Sequence, residues 1–268
     1  MAVASLPMYD LPAVKAATNA WWGGLARAFR REGIAGVPDM LSRGPSVRDL
    51  WTDRQLLFSQ TCGYPLIHEL RDQVALVATP CYSAPGCSGA DYCSVIIVPV
   101  DSEAKELGDL RGKTCAVNRR DSHSGYNVLR ALIAPLALGE RFFQSVTITG
   151  NHPSSLRLVA DGAADVAAID CVTYALLARD EPETVARTRI LCLTPPAPGL
   201  PYVTARRAPD DLVKRLRNGL QSAFDDPDLY ESREALLLSG FQVLPLSEYQ
   251  RIAAMRAGAV ARGYPNLA

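Results

Sequence analysis

At 268 residues and 48% hydrophobic, the chain can bury a substantial core, either as one large domain or as two lobes of ordinary size. Its 28 basic residues balance 28 acidic ones, which excludes the net field that draws a protein to nucleic acid or to an anionic membrane. No run reaches the roughly 20 apolar residues of a bilayer crossing, because the stretch that starts at Cys93 is broken by Pro99 and Asp101.

The first ten residues, MAVASLPMYD, lack the basic and long apolar regions of a secretory signal, so the sequence as given reads as cytoplasmic. A mature secreted chain placed behind a start methionine would look the same. Short apolar runs alternating with helical stretches make the class α/β, with mostly parallel sheets. In chain order, a strand over 3–8 leads into a helix over 11–31, and strands follow at 56–61, 74–79, 94–98 and 114–117. Then come a helix at 125–138, a strand at 145–149, a helix at 153–161, a strand at 166–169 and a helix at 172–179. A strand at 190–193, a weaker one at 201–204 and helices at 209–224 and 247–262 complete the chain. Two segments combine φ-fixed prolines with permissive glycines, 83–89 and 195–201. They are crossings between lobes or ordinary loops of one continuous sheet. As crossings, they make 1–90 and 200–268 one discontinuous lobe around an inserted lobe at 91–199, with a central cleft suited to a small ligand.

Seven cysteines, an odd number, are scattered over apolar segments and read as buried thiols rather than a disulfide framework. The even spacing of Cys81, Cys87 and Cys93 invites a metal reading, but a short CxxC-type pair is missing and no metal is expected.

Three polar clusters follow strands of the middle segment, and in a parallel sheet such carboxyl ends share the edge where ligands bind. The first is Ser122-His123-Ser124-Gly125-Tyr126. Ser124 suits an N-cap, Gly125 lets a ligand approach the backbone, and the unpaired amides of a first helical turn attract an anion. A serine cap on a helix that binds nothing has the same look. The second cluster contains His152, which either donates to an oxyanion or caps its helix. The third is Asp170, which accepts from a ligand hydroxyl or ammonium, orients His152, or caps the next helix. Tyr9, Tyr64 and Tyr82 lie just beyond strand ends of the outer lobe and can donate phenolic hydrogen bonds or simply pack. His68 falls in a polar turn. No G-x-S-x-G elbow, phosphate-binding GxxxxGK[ST] or dinucleotide G-x-G-x-x-G occurs, so neither a serine-hydrolase triad nor a nucleotide cofactor is indicated.

The order and spacing of DLRGKT at 109–114, SHSGY at 122–126, GNHPSSL at 150–156 and VADGAADVAAID at 159–170 resemble the phosphate, phosphite and phosphonate solute-binding receptors of ABC transporters. The match runs through the inner lobe and more loosely through 56–64. This resemblance implies a type II periplasmic-binding-protein fold that closes on its ligand, with an ABC permease as a partner. It further implies that Ser122, Ser124 and the amides of Gly125 and Tyr126 hold the anion's oxygens. His152 adds a donor there, and Asp170 receives a ligand amine. The expectation is a protein that binds a small oxyanion without covalent chemistry or cofactor, as a transport component or a cytoplasmic sensor. The alternative is a cytoplasmic enzyme similar to chorismate dehydratase or to pyrimidine-precursor-forming proteins.

Overall fold

The computed structural model describes residues 2–44 and 46–268. The chain divides into two compact α/β units, one formed by the chain up to Ser83 with Pro198–Leu246, the other by Ala84–Ala197 with Ser247–Ala268. The sequence expectation grouped 200–268 with the first lobe. In the structure the closing helix Gln250–Ala261 instead packs along Val128–Ala137 of the second unit. Among the described residues, no helix is long and apolar enough to cross a membrane.

The first unit holds a five-stranded sheet in the order Val3–Ser5, Leu56–Gln60, Tyr202–Ala205, Val74–Tyr82, Leu238–Gln242. Only its first pair is parallel. Its long helix, Lys15–Arg31, buries Thr18, Trp21, Trp22, Leu25, Ala26 and Phe29, the three- and four-residue spacing of one helix face. That face meets helix Asp210–Asp225 so closely that a Cβ on Gly219 would lie 2.6 Å from Phe29 Cδ1. Phe58 bridges the layers, its ring centroid 5.2 Å from Phe29 and 4.8 Å from Tyr202.

The second unit's sheet runs Ser145–Ile148, Thr114–Val117, Val166–Asp170, Ser94–Pro99, Thr188–Leu193. The first three strands are mutually parallel, and the last two are antiparallel additions. Both sheets are therefore mixed. Buried strands read as continuous apolar runs in either direction, so the pattern reveals the strands without their sense. Ile96, Val117, Val166 and Ala168, all fully buried, form the sheet side of the core, against Leu129 and Ile133. Each valine, leucine or isoleucine among them contributes about 1.5–3 kcal/mol relative to exposure.

Candidate functional site: a hydroxyl and amide cradle at a helix mouth

The parallel trio of the second unit brings the carboxyl ends of Thr114–Val117, Ser145–Ile148 and Val166–Asp170 to one edge. Beyond Val117 the chain turns through Asn118, and Ser122 takes an extended conformation, φ −89° and ψ 137°. Its hydroxyl accepts from the Gly125 amide at 3.1 Å. Ser122, rather than Ser124, is thus the N-cap. A π-helical turn, His123–Asn127, follows and runs directly into Val128–Ala137. Such widened turns recur at functional sites.

The helix His152–Ala160 delivers the opposite wall, capped by Asn151, whose side chain accepts from the Ser154 amide at 2.8 Å. His152 Nε2 lies 2.8 Å from Ser124 Oγ and 3.2 Å from Asn118 Nδ2. Asn118 Nδ2 also donates to Ser122 Oγ at 3.1 Å, and the two serine hydroxyls are 3.5 Å apart. Because the Asn118 amide can only donate, Nε2 accepts, and the imidazole is neutral with its proton on Nδ1. Burial pushes His152 down to about 4, an effect only partly offset by the Ala168 backbone. Nδ1 itself makes no hydrogen bond of good geometry.

Gly125 makes this convergence sterically possible. A Cβ there would stand 2.0 Å from Asn118 Oδ1 and 2.7 Å from its Cγ, and 3.3 Å from His152 Cε1. From beneath, Ser94 Oγ donates to the Ser124 carbonyl at 2.9 Å and fixes the turn to the sheet. The result is a cluster of neutral hydroxyl, amide and imidazole groups at the positive end of a helix.

The remaining expected residues have other neighbours. His123 is 2% exposed, its Nδ1 is 3.1 Å from Asn127 Nδ2, and burial pushes it down to about 3. Tyr126 is buried, and its hydroxyl accepts from the Leu267 amide at 3.0 Å. The side chains of these two residues therefore belong to the core, which leaves their backbone to the cradle. Asp170 takes the capping option: Oδ1 accepts from the amides of Val172 and Thr173 at 2.9 and 3.0 Å.

Tyr9, Tyr64 and Tyr82 all lie in the first unit. The rings of Tyr9 and Tyr82 meet edge to face at 5.1 Å, and the Tyr82 hydroxyl accepts from Gln60 Nε2 at 2.9 Å. Both tyrosines line a pocket with Leu6, Trp21 and Tyr202. Tyr64 sits on the helix Gly63–His68, its ring 4.3 Å from that of exposed His68. Cys81 belongs to the first unit, whereas Cys87 and Cys93 belong to the second.

Sequence reasoning missed Asn118 and Ser94. Asn118 carried a signal, an amide side chain one residue beyond a parallel strand. Ser94 carried none, because its role depends on which backbone oxygen the fold places above it.

The model for the family described as "ABC transporter, phosphonate, periplasmic substrate-binding protein" matches residues 53–249. No curated protein matches the sequence. Among solved structures, the fold is similar to a binding-protein component of an ABC phosphonate transporter from Pseudomonas aeruginosa, with TM-score 0.76 and 16% identity over 97% of this chain and 87% of that one. It is similar to PhnD1 from Prochlorococcus marinus in complex with methylphosphonate, with TM-score 0.74 and 14% identity over 96% and 97% of the two chains. A chloride-bound protein of Xanthomonas citri gives TM-score 0.74 and 18% identity over 97% and 98%. These likenesses show a periplasmic-binding-protein fold, and the family match spans well over half the sequence: the chain belongs to the phosphonate ABC-transporter periplasmic substrate-binding protein family.

Proposed function

We propose that this protein binds a small tetrahedral oxyanion of the phosphonate or phosphate class at the mouth of the helix that starts at His123, and passes it to an ABC permease. The observation that supports this most is the convergence of Ser122, Ser124, Asn118 and His152 on that helix start, which only a glycine at 125 permits. In this state the cradle satisfies itself, because Ser124 donates to His152 and Gly125 donates to Ser122. An entering oxyanion displaces these contacts and takes the Ser124 hydroxyl and the first-turn amides, which have no intrahelical acceptor. Its charge raises the His152 pKa from its low value and turns the ring into a second donor. Hydrogen bonds to a charged group contribute about 1.5–3 kcal/mol each, so a few suffice for useful affinity.

Anion binding at this cradle needs no covalent step, and we assign no catalytic residue. Asp170 contributes by capping.

A panel of phosphate, phosphite, methylphosphonate, 2-aminoethylphosphonate and sulfate, read by thermal shift, tests the reading. At a hundredfold excess over Kd, a bound member stabilises by about 2.7 kcal/mol, roughly 5–10 °C. A flat response across the panel sinks it.

A further inference from the structure

Cys171 meets two cysteines from a distant stretch of sequence, Cys87 and Cys93, beside the cradle. Cys87 Sγ lies 3.5 Å from Cys171 Sγ, and the Cys93 thiol is also within hydrogen-bond reach of Cys171. None is in a disulfide. Among the described residues, no group of three or more histidine, cysteine or carboxylate side chains is placed to hold a metal ion, so thiol chemistry rather than metal binding is the question this cluster raises. The cluster is joined to the cradle at two points. Cys171 directly follows Asp170, whose strand pairs with Ser94, and Ser94 holds the Ser124 carbonyl. Cys93 directly precedes Ser94, and its own carbonyl accepts from the Cys171 amide at 3.1 Å.

We propose that Cys87 and Cys171 form a reversible dithiol–disulfide pair, oxidised by a peroxide, that stiffens the strand ends supporting the oxyanion cradle. The sulfurs are already in contact, and the two residues are unequal in the way a two-step oxidation needs. Cys87 is partly exposed on a turn between Gly86, φ +95°, and Gly89, φ +55°, which lets it reach an oxidant and then shift. Cys171 is 1% exposed at the first position of a helix and can only resolve what Cys87 begins. Its contact with Cys87, together with burial, holds it in the thiol form until then. Cys93 is fixed next to its strand, and a Cβ on Gly86 would lie 2.6 Å from its sulfur, so it walls the pair in.

In the first step the Cys87 sulfur attacks one peroxide oxygen. The O–O bond breaks, and Cys87 becomes a sulfenic acid with release of water from hydrogen peroxide. In the second, the Cys171 sulfur attacks the Cys87 sulfur. An S–S bond forms, the S–O bond breaks, and the hydroxide leaves as water with the Cys171 proton. Two thiols and one hydrogen peroxide give one disulfide and two waters, and a small dithiol reverses the change by exchange.

The effect on ligand rests on the proposed oxyanion function, whereas the link itself does not. The test treats the full chain with hydrogen peroxide under native conditions, then maps peptides and measures amide exchange over 118–130. The expected result is a loss of two hydrogen atoms, a crosslink between the peptides carrying Cys87 and Cys171, and at least about threefold slower exchange in the cradle segment. Dithiothreitol restores the starting state. Cys87→Ser, at a partly exposed position, removes the crosslink, and Cys93→Ala retains it. A crosslink to Cys93 instead, overoxidation of Cys87 without a crosslink, or unchanged exchange in the linked protein overturns the proposal. Methylphosphonate titrated into the reduced protein separates the two claims: absence of binding there counts against the oxyanion function alone, since crosslink and exchange are read without ligand.

Discussion

The two units share an α/β plan and differ in what they place near their strand ends. The first offers an aromatic, mostly apolar pocket in which the Tyr82 hydroxyl is already engaged by Gln60. The second offers two serine hydroxyls, an asparagine amide and an imidazole around a helix start. One environment rewards the burial of carbon, the other the placement of donors around negative charge. Residue type alone does not decide between such roles; the neighbours of these tyrosines and serines differ.

The sharpest way to break the contrast is Gly125→Ala. The added methyl requires Asn118 to leave, because it would sit 2.0 Å from its Oδ1. We expect oxyanion affinity to fall by at least about a hundredfold and stability by about 1–3 kcal/mol, checked by calorimetric titration and urea melts. Next, Ser124→Ala removes a donor to a charged ligand and is expected to weaken binding by about 1.5–3 kcal/mol with little change in melting.

A pH experiment probes how the second unit is anchored. His123 protonates near 6.5 when unfolded and near 3 when folded. The unfolded chain binds the extra proton between these values, so the stability from a neutral His123 is complete above about pH 6.5 and lost as pH falls toward 3. Between pH 7 and 4.5 the wild type should lose about 2–3 kcal/mol more than His123→Gln in urea melts. The smallest effects concern supporting bonds. Tyr82→Phe in the first unit and Ser94→Ala in the second should each cost about 1 kcal/mol of stability, and only Ser94→Ala should also weaken oxyanion binding.

The central strands of the second unit were legible because 94–98, 114–117 and 166–169 are mostly apolar, almost wholly buried runs, and observed boundaries fall within a residue of them. The edge strand Leu238–Gln242 was not, since Gly240 interrupts it and two of its five residues are exposed. The helix Gly63–His68 escaped because six residues with a proline show no period. At the site, the serines and His152 could be singled out as polar residues after strands. Asn118 carried the same kind of signal, whereas the part played by Ser94 and the meeting of Cys87 with Cys171 did not, because both depend on long-range packing that local patterns do not encode.

The most direct test of the central claim is a calorimetric titration of methylphosphonate into the wild-type protein and into Ser124→Ala under identical conditions. The account requires saturable one-to-one binding to the wild type, weakened roughly tenfold or more in the variant. Equal affinities, or no heat of binding in a folded wild type, would contradict it.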